Sequence, residues 1–341
     1  MSNQSIKKVV VLGSGVMGSR IACHFANVGV EVLLLDIVPR DLTPAETAKG
    51  LTLNDKAVRN RIVNDSLQAA INSNPSPIYR KSFSGRIKTG NFDDNFSEIK
   101  DYDWILEAVV ENLTIKQSVF EQIEKYRKPG TIISSNTSGI PIELMAQGRS
   151  DDFKKNFVIT HFFNPPRYLR LLEIVPSSFT SPELVKFLMH YGDLILGKET
   201  VLCKDTPAFI ANRVGIFSIM DVLRVAMELG LSVEEVDKLT GPVIGHPKSA
   251  TFRTADVVGL DTLVKVSQNL YQALPNDEKR DIFKLPDLLV KMSDKKMLGD
   301  KTGSGFFKKT KNEKGETEIL SLDLNSLEYK PQTKTKFATL E

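Results

Sequence analysis

Two polar residues stand in apolar company in the stretch HFFNPPRYLRLLEIVP, residues 161 to 176. His161 follows the apolar run NFVIT, and Glu173 comes twelve positions later inside LRLLEIVP. A histidine with an unperturbed pKa of ~6.5 can take a proton near working pH. A carboxylate behind it fixes the tautomer and stabilises the imidazolium that forms. Glu173 sits between Leu172 and Ile174 and is costly to bury unless paired. The two therefore read as a general base and the acid that orients it. Taken alone, His161 also reads as a satisfied core histidine, and Glu173 as a strand residue facing solvent.

A second motif says what such a base would serve. Gly13-Ser14-Gly15-Val16-Met17-Gly18 matches G-x-G-x-x-G between a strand-like run, KKVVVL, and a helix-like one, SRIACHFANVG. Gly13 permits the tight turn, Gly15 lets the backbone approach a pyrophosphate, and Gly18 lets helix and strand pack closely. The helix N-terminus offers free N–H groups to that pyrophosphate. VEVLLLD then ends on Asp36, placed for the adenosine ribose hydroxyls. A carboxylate there repels a 2′-phosphate, so NAD is expected rather than NADP, with Arg40 the one nearby cation of the opposite tendency. FAD uses the same loop, and a glycine turn that binds no nucleotide is the bland alternative. An alcohol oxidised by a nicotinamide loses a hydride and a hydroxyl proton, and His161 suits the second task.

The remaining candidates are weaker. His24 lies in the first helix and His190 in a later one, where packing or surface roles are expected; His246 lies in the loop GPVIGHPKS. Cys23 and Cys203 make neither a disulfide framework nor a metal cluster, and no His, Cys and carboxylate cluster has ligand spacing, so no metal is expected. They suit a reduced compartment. The N-terminus reads as no signal peptide and no apolar run approaches the ~20 residues of a membrane span, so a cytoplasmic chain is expected. A net charge of +3 is too small to imply nucleic-acid binding.

These residues need a scaffold. The chain is 341 residues, 41% apolar and 26% charged, enough for two or three domains. Strand-like runs at 7–12, 30–36, 103–110, 131–136, 156–163, 169–176 and 199–205 alternate with helix-like segments. That predicts an α/β fold, a Rossmann-type doubly wound sheet. A polar, helix-bearing excursion spans 40–100 and is broken by NSNPSP at 72–77. After DTPAF, residues 207–229, 232–239 and 255–274 look helical, predicting an all-helical second domain. The expected boundaries are 1–203, 204–307, and a polar tail or linker over 308–341.

With these residues in place, the sequence resembles the L-3-hydroxyacyl-CoA dehydrogenases. H-F-F-N-P with a Glu twelve residues on looks like the family signature. Glu107-Ala108-Val109-Val110-Glu111-Asn112, Ser135-Asn136-Thr137-Ser138, Asp205-Thr206-Pro207 with Asn212-Arg213, and Gly299 to Phe307 resemble further family segments. The likeness covers residues 6 to about 310 in order. GRSDDFKKNF and GHPKSATFRTADVVGLDTL look like the dehydrogenase region of bacterial multifunctional fatty-acid oxidation proteins, which carry an enoyl-CoA hydratase region after it. No such region is in this sequence, which ends at TKTKFATLE inside what resembles the linker.

The resemblance implies NAD-dependent oxidation of 3-hydroxyacyl-CoA to 3-oxoacyl-CoA in fatty-acid β-oxidation. It makes His161 the base, Glu173 its partner, and Ser138 and Asn212 donors to the substrate oxygens, with Asn164 helping to hold the site. Glu111 and Asn136 fall on the nicotinamide side, and Lys116 near the cofactor or the CoA phosphates. Read alone, Ser138 is also a cap for the helix starting IPIELM, Asn212 one polar helix residue, and Lys116 a solvated lysine. Arg59 and Arg61 in the excursion are candidates for the CoA phosphates. The implied partners are an acyl-CoA, a hydratase region fused or separate, and a second copy through the helical domain. Ile244-Gly245-His246-Pro247 there replaces a tyrosine- and methionine-containing loop of the short family members. Two other functions fit less of the sequence: a different β-hydroxy acid dehydrogenase, which would use a catalytic lysine, and a cofactor-binding structural protein on the same fold.

Overall fold

The computed structural model describes residues 5–312 and 315–340. The chain divides into two compact units, Met1–Phe209 and Ile210–Glu341. The division falls six residues past the boundary expected at 203.

The first unit is built on eight strands: β1 (Lys8–Leu12), β2 (Glu31–Asp36), β3 (Ile87–Asn91), β4 (Trp104–Glu107), β5 (Ile132–Ser135), β6 (Phe157–Phe162), β7 (Leu171–Val175) and β8 (Glu199–Leu202). Their order in the sheet is β3-β2-β1-β4-β5-β6-β7-β8. From β3 to β6 neighbours run parallel; β7 is antiparallel to β6, and β8 parallel to β7. A parallel crossover needs a dozen or more residues. Only eight separate β6 from β7, so the chain doubles back there.

The apolar runs are continuous because both sheet faces are covered. Val9, Val11, Val32, Leu34 and Leu106 enter one core with the helix Val16–Asn27; Val10, Leu12, Leu33, Leu35 and Ile105 enter the other with the helix Leu113–Tyr126. Strand β3 was not expected. Its sequence, IKTGN, is polar because it sits at the sheet edge and pairs only with β2.

In the second unit the helix Ala211–Leu229 leads into Val233–Thr240. The helical run expected over 255–274 is two helices, Phe252–Val258 and Leu260–Ala273, divided at Gly259, whose φ is +96°. The segment expected as a polar tail instead forms a three-stranded antiparallel sheet: β9 (Phe307–Lys311), β10 (Thr317–Leu322) and β11 (Tyr329–Pro331). Phe306, Leu322 and Leu324 are buried beneath it, and Tyr329 Oη donates to the Gly305 carbonyl at 2.7 Å. Three apolar anchors among many lysines suffice because the backbone ladder does the rest. The sheet thus follows the helical stretch, whose last α-helix is Asp287–Asp294. No helix among the described residues is long and apolar enough to cross a membrane.

Candidate functional site

The glycine loop opens directly from β1. Gly13 has a φ of +97° and donates its N–H to the Leu35 carbonyl at 2.8 Å. A Cβ on Gly18 would lie 1.8 Å from the Gly13 carbonyl oxygen, so this contact demands glycine. Gly15 differs: a Cβ there would meet nothing within 4 Å. The helix Val16–Asn27 starts at Gly15 without a side-chain cap. Its first-turn N–H groups, with the positive end of the dipole, thus border open space that suits a diphosphate.

Asp36 ends β2 beside this loop. Its Oδ2 accepts from Ser14 N and Ser14 Oγ, each at 2.6 Å, and its Oδ1 accepts from Ile37 N at 2.7 Å. A carboxylate has about four acceptor positions, so one remains for a ribose hydroxyl. Arg40 is exposed. Gly13 to Gly18 and Asp36 are thus gathered as expected at the C-terminal ends of β1 and β2, and they fit an adenine dinucleotide.

A buried network lies at the ends of β4 and β5. Glu107, fully buried, accepts from Lys116 Nζ at 2.7 and 2.9 Å, Ser135 Oγ at 2.5 Å and Val109 N at 2.7 Å. Burial pushes the Glu107 carboxyl upward, opposed by Lys116 and by the hydrogen bonds. Lys116 also pairs with Glu111 at 3.3 Å. Glu111 in turn accepts from Thr137 Oγ1 at 2.5 Å, Ser138 N at 3.0 Å and Ser138 Oγ at 3.4 Å. Lys116 is therefore held by two carboxylates rather than left for a phosphate. Ser138 is no helix cap: the following helix, Ile142–Met145, has Pro141 at that position. Glu107 was missed in the sequence. An acid ending the apolar run WILE carries the same signal as Glu173, a carboxylate that must find a partner.

His161 and Glu173 face each other across the antiparallel β6–β7 pair. His161 Nδ1 and Glu173 Oε2 are 2.7 Å apart, with His161 6% and Glu173 0% exposed. The register makes this pairing: once the chain doubles back, side chains directly opposite share a sheet face. The His161 ring packs against Phe163, centroids 4.4 Å apart, and edge-on against Phe209 at 5.7 Å. Asn136 Oδ1 accepts from Phe162 N at 2.9 Å, fastening the end of β5 to the residue after His161. Nδ1 faces the carboxylate, so Nε2 is the nitrogen left for a substrate proton.

Other expected residues fall elsewhere. Asn164 is exposed in the β6–β7 turn, and Asn212 lies in the first turn of the helix Ala211–Leu229 in the second unit. Arg59 makes a two-pronged pair with Asp94, 2.7 Å on each prong, and Arg61 bonds Glu46 and the Asp41 carbonyl. Both guanidiniums thus hold the excursion together instead of standing free for phosphates. His24 is buried with Nε2 3.0 Å from the Leu196 carbonyl, while His190 and His246 are exposed. Cys23 and Cys203 are both buried.

Sheet order and loop chemistry define a dinucleotide-dependent dehydrogenase scaffold, and comparison with known proteins gives the family. The chain belongs to the 3-hydroxyacyl-CoA dehydrogenases: residues 8–206 match the family's NAD binding domain and residues 209–309 its C-terminal domain. It is 48% identical over 99% of its length to a Bacillus subtilis protein named "Probable 3-hydroxyacyl-CoA dehydrogenase", and spans 42% of that protein. A Deinococcus radiodurans protein of the same name is 43% identical over 91% of this chain and 84% of its own. Among solved structures, the (S)-3-hydroxybutyryl-CoA dehydrogenase of Ralstonia eutropha matches with a TM-score of 0.68 at 29% identity, over 88% of this chain and 98% of that one.

Proposed function

We infer that this chain catalyses the reversible oxidation of L-3-hydroxyacyl-CoA to 3-oxoacyl-CoA in fatty-acid β-oxidation. The observation that carries the reading is the buried His161–Glu173 pair at 2.7 Å, at the sheet end that also bears the glycine loop. NAD, when bound, supplies the acceptor for the hydride from C3. Gly13, Ser14, Gly15, Val16, Met17 and Gly18 hold its diphosphate and Asp36 its adenosine ribose. Glu111 and Asn136 stand on the nicotinamide side.

His161 Nε2 takes the 3-hydroxyl proton. Glu173 keeps Nδ1 protonated and offsets the positive charge that the ring then carries. Burial strengthens this pairing, since water competes weakly there. Ser138 and Asn212 donate to the substrate oxygens, and Asn164 helps hold the site; the family resemblance supports these three assignments. The chain acts in the cytoplasm, pairs with a second copy through its helical unit, and works with an enoyl-CoA hydratase, fused or separate. The greater length of the B. subtilis relative supports the last point.

The test follows NADH absorbance with purified chain, acetoacetyl-CoA and a long-chain 3-oxoacyl-CoA, alongside His161→Ala. Turnover that His161→Ala abolishes is the expected result, with the two rates setting chain-length preference. NADH binding without turnover on either thioester would overturn the reading.

A further inference from the structure

Lys198, just before β8, is 4% exposed, and no carboxylate pairs with it among the described residues. Burial pushes its ammonium down to about 8. An isolated buried ammonium is costly, and an apolar side chain of similar volume would avoid the cost. Its contacts show what the charge does. Nζ donates to the Leu169 carbonyl at 2.8 Å and to the Pro166 carbonyl, and lies 5.6 Å from the centre of the Phe162 ring. All three contacts fall on the segment between His161 and Glu173.

That segment, residues 163–170, needs an outside donor. Pro165 and Pro166 bring no N–H of their own. The turn's internal bonds run from Tyr168 N and Leu169 N to the Pro165 carbonyl, each at 3.0 Å. Beside Lys198, Glu199 N donates to the Arg170 carbonyl at 2.8 Å. The turn's own Arg167 donates to the Ser76 and Ile78 carbonyls at 2.7 and 3.2 Å, with its guanidinium 4.4 Å from the Tyr79 ring centre. Two cations thus fasten one turn: Arg167 ties it outward to residues 76–78, and the buried Lys198 holds its backbone.

We propose that Lys198 is a positioning residue: by clamping the Pro166 and Leu169 carbonyls it fixes the 163–170 turn and so sets His161 against Glu173. The proposal rests on His161 being the base, and its test separates the two. The first readout needs no turnover. The proton shared by His161 Nδ1 and Glu173 gives a downfield ¹H resonance, assigned as the one that Glu173→Gln removes. In Lys198→Met this resonance broadens or moves upfield, while its persistence unchanged would overturn the clamp whether or not the chain is active.

The second readout is kinetic. Misplacing a catalytic group by about 1 Å costs roughly 100-fold. Lys198→Met therefore lowers kcat by about 10- to 100-fold, with the NADH Kd and the thioester KM within about twofold. Lys198→Gln keeps one amide donor and recovers part of the loss; it also serves if Lys198→Met does not fold. Activity that falls only with the folded fraction would leave Lys198 a structural residue and sink the proposal. Absence of wild-type turnover would count against the base assignment instead.

Discussion

His161 and Glu173, twelve residues apart in sequence, lie directly opposite in the β6–β7 pair and share a 2.7 Å hydrogen bond inside the sheet. The relationship depends on β7 running antiparallel. In an antiparallel pair this register is fixed by the turn, and a slip of one residue would send Glu173 to the other face. Backbone pairing, rather than flexible side-chain reach, thus sets the geometry of the pair.

Glu173→Gln tests this pair with little change in shape. An amide cannot hold the imidazolium and accepts the Nδ1 proton less well. The expected result is a kcat lower by roughly 10²- to 10⁴-fold, with NADH affinity retained. Steady-state kinetics with parallel NADH fluorescence titration check it; a loss below about tenfold would mean that Glu173 mainly fills its strand position.

Gly15 and Gly18 separate binding from folding. A Cβ on Gly15 meets open space, whereas one on Gly18 lies 1.8 Å from a backbone oxygen. Gly15→Ala should keep Tm within a few degrees and weaken NADH binding at least tenfold, because the methyl occupies the place of the diphosphate. Gly18→Ala should lower stability by several kcal/mol, since helix and loop must part. Thermal melts and NADH titrations of both variants decide it; equal binding by Gly15→Ala and wild type would move the diphosphate elsewhere.

What the sequence revealed, and what it hid, has a physical pattern. Strands β1, β2 and β4 to β7 were legible because burial on both faces writes an unbroken apolar run; β8, ETVL, was legible although it is a part-exposed edge strand. Strand β3 and the three strands after Phe306 were hidden because edge strands and small sheets need few apolar residues: IKTGN and FKKTK read as coil. The His161–Glu173 pair was legible because a charge inside an apolar strand calls for a partner. Glu107 sends the same signal, but its partner Lys116 looks like any solvated helix lysine until the structure buries it. Lys198 was hidden altogether, since its acceptors are backbone carbonyls that leave no mark on the sequence.

The Glu107–Lys116 pair should behave as a buried ion pair. Removing Lys116 leaves the buried Glu107 carboxylate without its cation, at a cost of about 3–5 kcal/mol, while removing both together costs less. Lys116→Met is expected to lower stability more than the double variant Glu107→Gln with Lys116→Met. Lys116→Met should also loosen Glu111, and through it Ser138, so NADH affinity falls and the thioester KM rises. Urea unfolding of Lys116→Met, Glu107→Gln and the double variant gives the coupling; additive losses would show that the pair is not coupled.

Asp256 predicts a pH dependence in the second unit. Its carboxylate accepts from Phe306 N and Phe307 N, each at 2.8 Å, fastening the helix Phe252–Val258 to the start of β9. Desolvation raises it to about 6, against the pull of those two N–H groups and Arg253. A carboxyl whose folded value exceeds its unfolded value binds its proton more tightly when folded. Its contribution is complete below about pH 4 and is lost as pH rises through 6, by roughly 3 kcal/mol at most. Asp256→Asn mimics the protonated form and removes this component. The wild-type stability minus that of Asp256→Asn, from urea unfolding, should therefore fall between pH 4 and 6 and level off above 7. A flat difference across that window would mean that the two backbone donors hold the carboxyl ionised throughout, outweighing its burial.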